Sequence, residues 1–498
     1  MPMTGKPVNI GPNTREYPIA RVSRDAGFNL QWSADGRRLY WSLGPELYWR
    51  DLAETFAFFD GANTESIKAA HESEGLHIGF EARTDRPEGV VALVGARVVT
   101  MRGDEVIENA TIVIEGNRIA AVGPSGQVAV PAGARTIDVA GKTIMPGIID
   151  VHAHISAGSS GILPQTPWNF LANLAFGVTT MHDPSNNTES IFAASELIRA
   201  GEVVGPRLYS TGTILYGAES ASKAVVNDYD DAVSHLRRMK KVGGFSVKSY
   251  NQPRRDVRQQ FVEAARELGM LVVPEGGSTY FFNMTHVLDG HTGLEHNIPI
   301  APLYNDALTL IAASETGYTP TLVVNYGGLN AEYYWYQESN VWENERLQRF
   351  MPPGVLEARS RRPEKAASDD YFHVEVARSA KDLLDRGTRV LIGAHGQRDG
   401  LAAHWEMWSL AQGGFTPLEV IRAATLHGAE YLGLDQDLGS IEPGKLADLV
   451  VLDANPLENI RNTESVRYVM INGRLFDGWT MDQVAPVAEA RGKFWWER

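Results

Sequence analysis

Two kinds of hydrophobic pattern divide the chain into an inner and an outer part. Short apolar runs separated by turns occupy residues 90–122 and return at 446–475, a pattern typical of β-rich units. Between them, short apolar runs alternate with longer amphipathic segments, which is the pattern of repeated strand–helix units. We therefore expect a small β-sandwich, built from both chain ends, with one large α/β domain inserted in it.

Eight apolar runs in the inner part are candidate strands. Eight strand–helix units over about 290 residues are typical of a (β/α)8 TIM barrel. An open doubly wound sheet fits less well, because the first strand–helix turn lacks a Gly-x-Gly-x-x-Gly loop. The runs end near His154, Asp183, Gly212, Tyr250, Glu275, His296, Asn325 and His395. The predicted units are a β-rich N-terminal segment at 1–88, the composite sandwich at 89–146 and 437–480, the catalytic barrel at 147–436 and a C-terminal tail at 481–498.

The first ninety residues have a pattern of their own. The pair Asp35-Gly36 separates two short alternating runs between Asn29 and Ser42, which predicts a β-hairpin. The phrase from Trp32 to Gly36 resembles those in the last blade of a TolB-like β-propeller, which implies a remnant or a truncation of a propeller. An ordinary surface hairpin is the alternative. Unpaired β edges there would be covered by a missing propeller or by homo-oligomerisation.

Charge and composition exclude several classes of protein. The 498 residues include 46 basic and 61 acidic residues, for a net charge of −15 without a basic run, so we expect no nucleic-acid partner. The chain has no cysteine, which excludes thiolate zinc sites, iron–sulfur clusters and a cysteine nucleophile. Any metal must therefore be held by histidines and carboxylates, and the expected partner is a small molecule.

The sequence also carries a prediction about location. No apolar stretch reaches the roughly 18–20 residues of a transmembrane helix, and polar sequence follows Met1 to Lys6. We expect a soluble protein without membrane insertion or signal peptide, cytoplasmic as the sequence is written. A periplasmic or secreted location stays open if the N-terminus is truncated.

The first candidate strand ends in the phrase Met145-Pro-Gly-Ile-Ile-Asp-Val-His-Ala-His154. Side chains two residues apart in a strand share a face, so His152 and His154 can converge on one cation. A His-x-His pair alone is weak evidence, because two ordinary polar strand residues give the same pattern.

Four further strand ends strengthen the metal interpretation. Lys248 closes an apolar run, where a buried ammonium is costly unless it is paired or neutralised. Its amine could react with carbon dioxide to form a carbamate that bridges two metals, and a structural salt bridge is the alternative. Glu275, His296 and His395 also end apolar runs, at the carboxyl edge where barrels have their active sites. With His152 and His154 they complete a predicted six-ligand metal rim.

These motifs resemble those of the amidohydrolase superfamily, in its imidazolonepropionase-like and prolidase-like branch. The resemblance is carried by the Pro-Gly-x-x-Asp-x-His-x-His phrase, by Gly177-Val-Thr-Thr180 and by the stretch from Gly439 to Val450. It runs from about Val91 to Gly478 and leaves the first ninety residues outside.

The resemblance implies a hydrolytic metal centre. His152 and His154 would hold one metal, a carbamylated Lys248 would bridge two, and His296 would bind the other. Two zinc ions are expected, with manganese, iron or cobalt as alternatives. A metal-bound hydroxide would be the nucleophile, because a metal can lower the pKa of its water from 15.7 to about 7.

Two positions depart from the family pattern. Glu275 occupies the usual place of a fifth-strand histidine, although a carboxylate also binds zinc or manganese. His395 follows the eighth strand where relatives usually have an aspartate that ligates metal and transfers the proton. An imidazole can do the same work, and Asp399 in the following loop is the alternative.

The function expected from these residues is hydrolysis of a C–N bond, in a dipeptide or an N-acyl amino acid. Tyr250 lies two positions after Lys248 and could donate to an oxyanion, or simply pack at the barrel mouth. An esterase, lactonase or phosphotriesterase using the same centre is the enzymatic alternative. A catalytically decayed binding module is the alternative from another class.

The interval between the seventh and eighth candidate strands is long and rich in aromatic residues. Loops of this length at the active face of a barrel are commonly lids. We therefore expect the cluster from Tyr333 to Tyr336 to contact an apolar or aromatic part of the substrate.

Overall fold

The computed structural model describes residues 14–15, 17–62, 67, 75–158, 161–216, 223–360 and 365–497. Met1 to Lys6, and with them the prediction about a signal peptide, lie outside the described residues.

The strands are, in chain order, β1 (Phe28–Trp32), β2 (Arg38–Leu43), β3 (Glu46–Asp51), β4 (Leu76–His77), β5 (Val90–Val99), β6 (Val106–Glu115), β7 (Arg118–Pro124), β8 (Arg135–Asp138), β9 (Thr143–Pro146), β10 (Ile148–Asp150), β11 (Val178–Asp183), β12 (Arg207–Ser210), β13 (Leu215–Tyr216), β14 (Ala224–Val225), β15 (Ser246–Tyr250), β16 (Leu271–Pro274), β17 (Gly293–Glu295), β18 (Gly317–Thr319), β19 (Leu449–Leu452), β20 (Val466–Ile471), β21 (Arg474–Asp477) and β22 (Gln483–Ala485).

The α-helices are α1 (Trp168–Ala175), α2 (Thr188–Arg199), α3 (Tyr229–Lys241), α4 (Arg255–Leu268), α5 (Tyr280–Asp289), α6 (Asn305–Ala313), α7 (Ala331–Glu338), α8 (Glu345–Phe350), α9 (Pro353–Ser360), α10 (His373–Leu384), α11 (Leu401–Gln412), α12 (Pro417–Ala423) and α13 (Leu426–Leu432). Short 3-10 helices occupy Leu52–Glu54, Leu322–Val324, Val341–Glu343, Ser368–Asp370 and Ile460–Glu464. Within the described ranges, no helix combines the length and the apolar composition that crossing a bilayer requires.

The N-terminal strands form a four-stranded antiparallel sheet in the order β1-β2-β3-β4. The hairpin expected around Asp35-Gly36 is present as β1 and β2. The Asp35 carboxylate accepts hydrogen bonds from the Ser33 hydroxyl at 2.6 Å and from the Arg37 N–H at 3.0 Å, which fixes the turn. The relation of this sheet to a propeller blade stays a prediction.

Strands from both chain ends pair in one nine-stranded sheet, in the order β22-β21-β20-β19-β9-β5-β6-β7 with β8 beside β5. Its alternating apolar side chains form a core of their own, which includes Leu93, Ile112 and Leu449. The two ends of the chain therefore combine as expected, while a division into two sandwich layers stays a prediction. The sheet continues to Ala485, inside the range expected to be a tail.

The inner part alternates parallel strands with helices, so the predicted mixed α/β class is confirmed. The parallel pairs are β10-β11-β12, β14-β13-β15-β16 and β17-β18. A single bridge from Glu275 to Glu295 connects β16 to β17, and another from Tyr318 to Val390 connects β18 to the eighth predicted strand, which contains Val390. The hydrogen bond from Val151 N–H to the Ile392 carbonyl returns that segment to the end of β10.

The third predicted strand is broken, and the pairing does not close into a regular barrel. β12 pairs with β11, whereas the next piece of chain, β13, pairs with β15. Gly212 lies at the break with a φ of +58°, a conformation that glycine adopts without the steric cost of a Cβ. The predicted strand end near Gly212 agrees with the structure, in which β12 ends at Ser210 and the chain bends at Gly212.

Two contacts fix the nine-stranded sheet to the parallel strands. A Cβ at Gly147, between β9 and β10, would lie 2.0 Å from Thr179 Oγ1, so the phrase there requires glycine. Arg207 of β12 donates to both carboxylate oxygens of Asp448, at 2.6 and 3.0 Å. Asp448, which is buried, also accepts from the Asn472 N–H at 2.8 Å.

We expect the substitution Asp448→Ala to lower the free energy of unfolding by about 3 kcal/mol, because it leaves the Arg207 guanidinium unpaired in a buried contact. The measurement is urea denaturation followed by tryptophan fluorescence. Glu108→Ala, which breaks an exposed pair with Arg97, is the control and should cost less than about 1 kcal/mol. Equal losses in the two variants would contradict the assignment of Arg207–Asp448 as a structural contact.

Candidate metal centre

Four histidines converge at the carboxyl ends of the parallel strands. His152 and His154 follow β10, His296 follows β17, and His395 ends the segment that lies beside β10. The distances between the centroids of neighbouring rings range from 4.6 Å for His154 and His395 to 5.3 Å for His152 and His154.

The backbone is turned sharply at two of these histidines. His296 has a φ of +69° and His395 a φ of +55°, in the left-handed region that non-glycine residues rarely occupy. The N–H of His395 donates to the carbonyl of His152 at 2.7 Å, which holds the turn against the first strand. Backbone strain of this kind is concentrated at functional sites, where the surrounding structure maintains it.

Glu275, directly after β16, lies beside the histidines. Its carboxylate is 2.5 Å from Lys248 Nζ and 3.2 Å from His296 Nε2, and it accepts a hydrogen bond from the Tyr326 hydroxyl at 3.2 Å. Burial would raise the pKa of Glu275, but the adjacent Lys248 and His296 outweigh it, and the pKa is lowered overall. The carboxylate is therefore anionic at neutral pH.

The donor set fits divalent cations. His152, His154 and His395 form one group, and His152, Glu275 and His296 form another, with the donor atoms of each group within 4.8 Å of one another. His152 Nε2 is buried and has no hydrogen-bond partner among the described residues. Burial and neighbouring positive groups lower the pKa of His152 and of His395, which keeps both imidazoles neutral, as ligation requires. Imidazole nitrogen with carboxylate oxygen is a donor set for zinc or manganese.

A buried carboxylate lies behind His152. Glu295 Oε2 is 2.8 Å from His152 Nδ1, and Glu295 Oε1 accepts a hydrogen bond from the Tyr431 hydroxyl at 3.1 Å. Burial raises the pKa of Glu295 to about 8. A carboxyl group at Nδ1 orients the ring and leaves Nε2 free to face a cation.

Two more carboxylates orient the loop that carries the first two histidines. Asp183, at the end of β11, accepts from the Ile155 N–H at 2.9 Å and lies 3.5 Å from His154 Nδ1. Asp150 accepts from the N–H groups of His152 and Ala394, at 3.2 and 3.0 Å. The carboxylate of the Pro-Gly-x-x-Asp phrase thus connects the first strand to the eighth.

The two candidates for proton transfer have different surroundings. His395 lies within the histidine cluster. Asp399 is half-buried, and its side chain interacts with Asn173 of α1 and with Arg359 and Arg398. Burial raises the pKa of Asp399 to about 6. Asp399 is thus held at α1 rather than among the donors.

Tyr250 is half-buried beside the cluster. Lys248 Nζ lies 5.5 Å from the centroid of its ring, and burial raises the pKa of its phenol. The hydroxyl is therefore a protonated hydrogen-bond donor at neutral pH.

Two residues near the donors were not singled out from sequence. Tyr326 follows the 3-10 helix Leu322–Val324, beyond the predicted end of the seventh strand, and no periodic pattern marks it. Glu295 could have been identified from the sequence, because a carboxylate within a short apolar run requires a buried partner.

The aromatic cluster at 333–336 is helical rather than irregular. It lies in α7, where Trp335 and Tyr336 are buried. The Trp335 indole N–H donates to the Ser409 hydroxyl of α11 at 3.0 Å, and Arg398 donates to the Tyr336 hydroxyl. The expectation that these two side chains face a substrate is wrong, because they are part of the contact between α7 and α11.

Comparison with known proteins supports the resemblance to the amidohydrolases, both in family and in fold. The model of the amidohydrolase family matches residues 143–476. Ochratoxinase from Aspergillus niger is 22% identical over 452 residues, which cover 80% of this chain and 88% of that protein. A 5-methylthioadenosine/S-adenosylhomocysteine deaminase from Symbiobacterium thermophilum is 25% identical over 416 residues, covering 73% and 85%. The solved structure of a putative prolidase from Bifidobacterium longum superposes with a TM-score of 0.61 at 23% identity, over 82% of this chain and 96% of that one.

The family match begins at β9 and ends within β21, so it includes every strand that carries a donor residue. The chain belongs to the amidohydrolase family.

Proposed function

We propose that the protein is a metal-dependent hydrolase of an amide or peptide bond, acting on a dipeptide or an N-acyl amino acid. As an amidohydrolase it is a hydrolase of C–N bonds, and the proposal concerns the substrate and the residues. The observation that carries it is the convergence of four imidazoles and the Glu275 carboxylate at one edge of the parallel strands.

The proposed ligands divide into two groups. His152 and His154 would hold one ion, and Glu275 with His296 would hold a second. Zinc is the favoured metal, with manganese, iron or cobalt as alternatives. Such ions supply polarisation of the scissile carbonyl and activation of water at neutral pH.

Lys248 is assigned a bridging role. Its neutral amine would add carbon dioxide, with loss of a proton, to give a carbamate. Lys248 would then no longer be a cation paired with Glu275 but a second anionic ligand beside it. The short contact between Lys248 Nζ and Glu275 supports a position beside the donor group of His152, Glu275 and His296.

The chain's own side chains would carry the proton and orient the substrate. His395 would accept the proton that the attacking water releases and deliver it to the departing amine nitrogen as the C–N bond breaks. The Tyr250 hydroxyl would donate to the carbonyl oxygen, where negative charge develops. Glu295 and Asp183 would hold the rings of His152 and His154.

The substrate class can be tested with N-acetyl-L-phenylalanine and its matched ester, O-acetyl-L-phenyllactate. We expect acetate release from the amide, loss of that activity after treatment with a chelator, and recovery when Zn²⁺ or Mn²⁺ is added. Hydrolysis of the ester alone, or amide hydrolysis that the chelator leaves unchanged, would contradict the proposal.

The role of Lys248 can be tested by elemental analysis of protein purified without added metal. We expect about two equivalents of metal per chain, falling to about one or fewer in Lys248→Ala, because the bridging ligand is removed. Lys240→Ala, which changes an exposed lysine of α3, is the control and should keep both equivalents. A Lys248→Ala variant with an unchanged metal content would make Lys248 a structural ion-pair partner.

The proton path can be tested by comparing His395→Asn with Asp399→Asn at equal metal content. We expect His395→Asn to lower kcat by about 100-fold or more and Asp399→Asn to change it by less than about threefold, because Asp399 interacts with α1. The opposite ranking of the two variants would assign proton transfer to Asp399.

A further inference from the structure

A lysine and two tyrosines form a cluster where the broken third strand meets the fourth. β13 pairs with β15 so that Tyr216 lies opposite Tyr250, and the centroids of the two rings are 5.7 Å apart. Lys223, just before β14, has its Nζ 4.0 Å from the centroid of Tyr216 and 4.6 Å from that of Tyr250. β13, which carries Tyr216, follows the bend at Gly212.

The cluster is next to the candidate metal centre. The ring of Tyr250 contacts Lys223 and is also 5.5 Å from Lys248 Nζ, which in turn contacts Glu275. One tyrosine ring therefore lies against both ammonium groups. In a dipeptide or an N-acyl amino acid, only the Cα atom lies between the scissile nitrogen and the carboxylate carbon. The carboxylate carbon is therefore roughly 4 Å or less from the reacting carbonyl carbon.

The charge of Lys223 has no carboxylate partner within the part of the chain that the structure describes. Other lysines there form ion pairs, for example Lys241 with Glu46 and Lys142 with Asp453. Lys223 instead faces two aromatic rings, which attract its positive charge without being a carboxylate acceptor for its N–H groups. Its ammonium therefore keeps hydrogen-bond donors for an anion.

We propose that Lys223, held by the rings of Tyr216 and Tyr250, binds the free carboxylate on the leaving-group side of the substrate. This inference rests on the proposed function, and it narrows the substrate class to dipeptides and N-acyl amino acids with an unblocked carboxyl end. Lys223 acts as a specificity residue: it contacts the carboxylate, while bond cleavage takes place at the metal donors. The tyrosines position the ammonium and form an apolar wall beside it.

The kinetic test compares N-acetyl-L-phenylalanine with its N-methylamide, in which the carboxylate is neutral, by following acetate release. We expect Lys223→Met to reduce kcat/KM for the carboxylate substrate about tenfold or more, through KM, and to change that for the methylamide less than twofold. Lys223→Arg should restore most of the loss, and Lys240→Ala on α3 is the matched control. Equal losses on both substrates would overturn the proposal.

A binding measurement separates this inference from the proposed hydrolysis. Calorimetric titration with L-phenylalanine and with L-phenylalaninamide needs no turnover. We expect wild-type protein to bind the carboxylate form more tightly and Lys223→Met to lose that preference. This result would support the subsite even if neither acetyl substrate is cleaved, whereas equal affinities for the two ligands in wild-type protein would overturn it.

Discussion

Burial of the Glu275 carboxylate is the constraint on which the candidate centre depends. A carboxylate that is removed from water is stable only with positive charge or several hydrogen bonds beside it. Lys248 supplies the charge, and Tyr326 supplies a hydrogen bond. Burial lowers the pKa of two of the four nearby imidazoles, His152 and His395, so these two add nitrogen donors rather than charge. Neutral imidazole donors such as these two, beside one anion, are suited to a divalent cation.

Contacts between neighbouring strands hold these donors in position. Asp150 connects the first and eighth strands, and the pairing from Glu275 to Glu295 connects the fifth and sixth. At the other end of the strands, Gly147 and the Arg207–Asp448 contact fix the parallel strands to the nine-stranded sheet. The donors therefore lie on rigid strand ends, and their supporting carboxylates lie on neighbouring strands of the same layer.

The sequence supported those predictions in which each residue ends an apolar run. His152, His154, Lys248, Glu275, His296 and His395 could be named because parallel strands bring their carboxyl ends to one edge. Tyr326 could not, because it lies beyond the predicted end of the seventh strand, and Lys223 could not, because it precedes an apolar run instead of ending one. The short strand β13 beyond the left-handed Gly212 was not predicted, because hydrophobicity alone does not show where the chain turns after the bend. The aromatic residues of α7 have no amphipathic contrast with polar neighbours, so their burial against α11 was not visible in the pattern.

The most direct test of the central claim is anomalous X-ray diffraction from crystals of protein purified without added metal, recorded on both sides of the zinc absorption edge. The account predicts two peaks, one beside His152 and His154 and one beside Glu275 and His296. An ordered site with neither peak, together with an intact ion pair between Lys248 and Glu275, would contradict it.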